Sequence, residues 1–158
     1  MNKWLSGVLT AGTFFALYYF EKRTPLRRSI ESDILRAPRN LAIALAAGAA
    51  VNLLENPVAN HLTKFVEKKN FGVLKIFRLP KFLETVLAVV FLDYTLYLWH
   101  VLTHKIPFLW RFHQVHHADL DLTVSTAVRF HFGEISISVL FRAGQILLIG
   151  ASPHALQI

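Results

Sequence analysis

Residues 93–134 contain six of the eight histidines of the chain, spaced as His100-x-x-x-His104, His113-x-x-His116-His117 and His131. On a helix, residues four apart lie about 40° apart around the axis, so His100 and His104 project from one face, one turn apart. His113, His116 and His117 repeat this at spacings of three and four. Neutral imidazole is a good ligand for iron, zinc, copper or nickel, and two short faces carrying five of them suit a metal site. Packing is a poor explanation, because every buried ring nitrogen needs a partner. His61 and His154 stand apart and read as core or interfacial side chains.

Ionisable and polar neighbours extend the site. Asp93 lies in an apolar segment, where a charge is costly and therefore a functional candidate. Seven residues bring it back to nearly the face of His100, with Tyr97 between them. Asp93 and Tyr97 are thus expected behind the ligands, Asp93 accepting an imidazole N–H directly or through a neighbour and setting its tautomer, the alternative being an acid satisfied by a neighbouring helix. Glu134 is a further expected support. His131 is either a ligand or a local structural group. Asp119 and Asp121 read as solvated or tuning charges, and Arg111 as a partner for Asp119, Asp121, Glu134 or a headgroup.

The run Asp93-x-x-x-Tyr97-x-x-His100-x-x-x-His104, then Pro107-Phe108-Leu109-Trp110-Arg111-Phe112-His113-x-x-His116-His117 and Thr126-Ala127-x-Arg129-Phe130-His131-x-x-Glu134, resembles the fatty acid hydroxylase and sterol desaturase superfamily. The likeness is close over about forty residues and looser elsewhere. It implies an integral-membrane, non-haem di-iron oxygenase that uses O2 to hydroxylate or desaturate a lipid. His100, His104, His113, His116 and His117 would be iron ligands. Electrons would come from an external donor, a reductase with a small cytochrome or ferredoxin, since no nucleotide-binding glycine motif is present. The family usually carries a second pair of histidine motifs downstream, and this chain stops at Ile158 before one. Val101 and Phe132 replace an arginine and a proline that commonly follow the family's histidines. A truncated member, completed by later residues or a second copy of the chain, is therefore expected. The alternatives are an inactive metal-binding membrane scaffold and, ranked lowest, a metal transporter.

Composition sets the solvent of these elements. The 158 residues are 54% apolar with mean hydropathy +0.42 and net charge +7. Long apolar runs point to a bilayer. Basic residues lie between those runs, a pattern that suits lipid headgroups and argues against nucleic acid. The absence of cysteine excludes disulfides, iron–sulfur clusters and thiolate metal sites.

The expected fold is one all-α membrane domain of three or four spanning helices, with the histidine platform at the cytosolic face of a bacterial inner membrane or the endoplasmic reticulum. Residues 4–20 form a short aromatic-ended first helix. Residues 21–39 carry six basic residues and two prolines, a connection read as cytoplasmic. An alanine-rich helix over 40–54 is expected to be packed rather than lipid-facing, and to end at Glu55-Asn56-Pro57. Residues 61–81 also carry six basic residues, on what would be the opposite side. Either this segment lies in the interface or the second helix does not cross. Residues 82–104 span, 105–134 form the platform, and 135–150, with Arg142, form a fourth spanning or interfacial helix.

Overall fold

The computed structural model describes residues 3–25, 28–121 and 123–157. Leu26 and Arg27 of the basic connection, Leu122, and Ile158 lie outside them. The described residues are helical throughout, with no strand: α1 (Lys3–Arg23), α2 (Asp33–Ala50), α3 (Asn56–Lys69), α4 (Val73–Ile76), α5 (Lys81–Lys105), α6 (Pro107–His117) and α7 (Phe132–Ile149), with short 3-10 turns at Val124–Val128 and Ala155–Gln157. The all-helical expectation holds. Three stretches are long and apolar enough to cross a membrane: Asp33–Ile76, Lys81–Lys105 and Phe132–Ile149. α1 is not among them, because serine, threonine, glycine and tyrosine dilute its apolar residues.

Leu41, Leu45, Leu53, Val90, Leu140 and Leu148 all point outward and are exposed in the protein alone. Such outward apolar faces need a hydrocarbon solvent. In α2 the small residues Ala47 and Ala50 are buried while Leu41 and Leu45 are not, so the helix is packed on one face and open on the other. The expectation of a packed rather than lipid-facing helix fits the face of Ala47 and Ala50 and not that of Leu41 and Leu45.

The helix does not end at Pro57. A π turn at Val51–Glu55 joins α2 to α3, and the Asn56 N–H donates to the carbonyl of Val51, five residues back. An interior proline loses one backbone hydrogen bond and crowds the carbonyl four residues earlier. The wider turn absorbs that defect, and the helix continues to Lys69. Pro38 also sits inside a helix, near the start of α2. α3 and α7 pack together, and the ion pair of Arg142 Nε with Glu55 Oε1 at 3.1 Å joins the π turn to α7. Gln145 on α7 donates to Thr95 Oγ1 on α5 at 2.6 Å. Polar groups at this depth persist only when they are paired in this way.

At the histidine end, the segment between α6 and α7 is latched to the start of α2. Asp121 accepts hydrogen bonds from the N–H groups of Ile30 and Glu31, each at 2.9 Å, and from Arg36 Nη1 at 2.7 Å. Asp119 accepts from Asn40 Nδ2 at 3.0 Å, Thr126 Oγ1 at 2.9 Å and the Asp121 N–H at 3.1 Å. Arg129 Nη1 lies 3.4 Å from Asp119 Oδ2. Asp119, Asp121, Arg36, Asn40 and Arg129 are all buried. Asp119 and Asp121 are therefore not solvated charges. A buried carboxylate persists only where donors surround it, and these two are surrounded.

At the other end, Gly72 (φ 108°) meets Gly150 (φ 83°), the residue that closes α7. A Cβ on Gly72 would lie 2.3 Å from Gly150 Cα and 2.8 Å from the Leu147 carbonyl oxygen. Both positions need positive φ and bare backbone. Beside them Leu74, Ala88, Ile149, Ala151 and Ala155 form the buried apolar core. Gly72→Ala should lower the thermal midpoint in detergent by several degrees, the positive φ alone costing about 1–3 kcal/mol. An unchanged melting curve would show that α4 and the end of α7 move apart freely.

Candidate metal centre

α5 carries His100 and His104 on its last two turns. Ile106, in an extended conformation, then reverses the chain, and Pro107 opens α6 where a missing N–H costs nothing. α6 folds back against α5. His113 and His117, one turn apart on α6, thereby face His100 and His104.

One ring nitrogen from each of His100, His104, His113 and His117 lies within 4.8 Å of the others. Ring centroids are 4.7 Å apart for His100 and His104, 4.9 Å for His100 and His113, and 4.8 Å for His104 and both α6 partners. Trp110 walls one side, its ring 5.3 Å from that of His104 and stacked 5.9 Å from that of His117.

His113 is the buried member of the four. Its Nδ1 lies 2.9 Å from Glu134 Oε1, on the first turn of α7. With Glu134 ionised the carboxylate only accepts, and in that state the ring proton sits on Nδ1 and the Nε2 lone pair points into the cluster. That Nε2 is 3.2 Å from His117 Nε2. Two nitrogens at this distance need a shared proton or a shared cation. Burial, followed by the neighbouring His104 and His116, holds the His113 imidazole down at about 4. Burial and the other histidines also lower His117. Cations in common repel, so the cluster favours neutral rings, the form that binds metal. Convergent lone pairs, a set tautomer and the absence of any competing carboxylate in the cluster fit a divalent transition-metal ion.

His116 stands beside the four rather than among them. Its ring is 5.7 Å from His113, 5.1 Å from His117, and stacked 4.9 Å from Phe130. Its Nδ1 is buried without a hydrogen-bond partner, as is Glu134 Oε2. Buried polar atoms without partners are uncommon, and a further ligand interaction would satisfy them.

His131 caps α7: its Nδ1 accepts the Gly133 N–H at 2.9 Å, and its ring lies against Phe112 and Phe132. It is not in the cluster. Asp93 and Tyr97 are exposed on α5 and make no hydrogen bond to an imidazole. Seven residues return to the same face but add about 10 Å along the axis, beyond hydrogen-bonding reach. The carboxylate behind the ligands is Glu134, brought from another helix. Arg111 is exposed and has no acidic partner among the described residues.

Known proteins resemble the C-terminal part of the chain. Residues 85–158 match the family model for fatty acid hydroxylase. The resemblance read from the histidine motifs holds there. An ornithine lipid hydroxylase, OlsE, of Rhizobium tropici is 35% identical over 72 residues, which cover 46% of this chain and 22% of that relative. No solved structure matches. The matched segment begins within α5 and includes all four converging histidines, His116 and Glu134.

Because Glu134 sets the proton on His113, Glu134→Gln should weaken metal binding roughly 10 to 100-fold while leaving the helix content intact. Asp93→Asn should leave it unchanged. Isothermal titration of the metal-free protein separates the two, and equal effects would undo the assignment of Glu134.

Proposed function

We propose that this chain carries part of a non-haem iron site of a membrane lipid oxygenase. The observation behind this reading is the convergence of His100, His104, His113 and His117, buttressed by Glu134, in a segment matching fatty acid hydroxylase. The four rings would hold one iron, and His116, whose buried Nδ1 has no partner, would be available to a second. When bound, the pair of irons supplies O2 activation for insertion of oxygen into, or removal of hydrogen from, a C–H bond.

The chain's own residues do the rest. Glu134 positions the His113 ring, Trp110 packs beside His104 and His117, and the Asp119–Asp121 latch keeps the platform on the bundle. The name of the Rhizobium relative favours hydroxylation of a polar membrane lipid. Electrons reach the site from a separate reductase with a small cytochrome or ferredoxin. The histidines face the cytosol, where such donors are found. A second copy of the chain is a candidate source of missing ligands.

A scaffold without catalysis is the second reading, favoured by the cluster's four donors, enough for a single ion. Elemental analysis of the detergent-purified protein, with activity on a lipid panel under O2 and a chemical reductant, separates them. Two irons per chain or per assembled dimer and a hydroxylated lipid are expected. His104→Ala should lower bound iron at least several-fold, as should alanine at the other three. Retention of iron by all four variants would remove the reading, and one inert ion per chain would favour the scaffold.

Orientation has its own test. Because the helix runs unbroken from Asp33 to Lys69, cysteines placed at the exposed Thr24 and Lys68 should react with an impermeant reagent from opposite sides. Labelling from one side would mean that this helix does not cross.

A further inference from the structure

The end of the bundle away from the histidines carries a second concave feature that the oxygenase reading does not use. Lys81 begins α5, and His100 lies nineteen residues further on, about 28 Å along the axis. That is close to the ~30 Å thickness of a hydrocarbon core. A ligand held at Lys81 therefore sits at the headgroup level of the leaflet opposite the histidines.

Two adjoining hollows meet at this point. A polar cleft of about 720 Å³ is lined by residues including Arg78, Lys81, Ser152 and His154. An apolar groove of about 640 Å³ shares Lys81, Thr85 and His154 with it and continues along α5 past Phe82, Val86, Val89 and Val90. Phe82 and Val90 are 80% and 56% exposed in the protein alone. A polar chamber opening into an apolar trough on the outside of a spanning helix has the shape of a lipid, head and tail.

Charge selects among lipids. Lys75, also in the cleft, is neutralised by Glu84. Arg78 and Lys81 are exposed and have no acidic partner among the described residues, and Glu67 adds one carboxylate to the rim. Arg78 is held at φ 46°, a left-handed conformation rare for a side-chain-bearing residue, between Phe77 and the Leu79-Pro80 turn into α5. Two unpaired cations at a headgroup level complement a phosphodiester anion.

We infer that the cleft at Arg78, Lys81 and His154, with the groove along Phe82, Val86 and Val90, binds one anionic phospholipid in the leaflet opposite the histidines. This bound lipid is a structural partner rather than the molecule presented to the metal. It also gives the basic 61–81 segment a physical role on the side where basic residues are not expected.

The test uses native mass spectrometry of the full chain, stripped of lipid in neutral detergent and supplied with phosphatidylglycerol or phosphatidylcholine of identical acyl chains. Phosphatidylglycerol should be retained preferentially. Arg78→Gln with Lys81→Gln should reduce its retention, roughly fivefold for each cation. Val86→Trp, which fills the groove, should reduce retention of the same lipid without touching a charge. Lys68→Gln with Lys69→Gln, outside the cleft, should leave retention as it is, and inorganic phosphate should not displace the lipid. Equal retention of the two lipids, or equal losses in the two lysine and arginine pairs, would overturn the proposal. So would displacement by phosphate alone.

Discussion

The hydrogen bond between His113 and Glu134 is the contact that ties the histidine cluster to the rest of the bundle. It joins α6 to α7 through Nδ1 of His113, the nitrogen away from the cluster, and leaves Nε2 facing His117. Burial supports the same state from a different direction, because His113 is almost wholly excluded from solvent and a charged imidazole is costly there. A neutral, oriented donor in a cluster of like groups is an arrangement that could hold a metal ion.

That contact needs two helices held at a constant offset, and the polar latch provides it. Asp121 and Asp119 draw donors from residues some eighty to ninety positions earlier, so the platform after α6 cannot slide along α2. Each carboxylate is matched by several donors, which keeps the burial of charge from becoming a liability. The glycine contact at the far end has the corresponding role for α4 and α7, by close approach rather than by charge. Between the two ends, few polar pairs interrupt otherwise outward-facing apolar surfaces. The bundle is thus fastened at both ends and solvated by hydrocarbon along its length.

The two ends divide the labour. One converges imidazoles and matches a fatty acid hydroxylase segment; the other gathers cations around an open apolar trough. Their separation by one hydrocarbon thickness follows from the length of α5 alone.

The sequence by itself determined the helical class, the apolar stretches and the pairing of His100 with His104 and of His113 with His117, because hydropathy and i,i+4 spacing are local properties of a helix. The motif resemblance reached the same segment that the family model matches. Tertiary structure decided which carboxylate meets a histidine of the cluster. Asp93 has the right angular position on the same helix as His100 but the wrong height, whereas Glu134 arrives from another helix, and periodicity carries no information about that. It also turned Asp119 and Asp121 from apparent surface charges into buried anchors, since their partners Arg36 and Asn40 are remote in the chain. Pro57 gave a local signal to stop, and a π turn overrode it because packing against α7 rewards a continuing helix. Where a role depends on neighbours along one helix it is written in the spacing; where it depends on contact between helices, only packing assigns it.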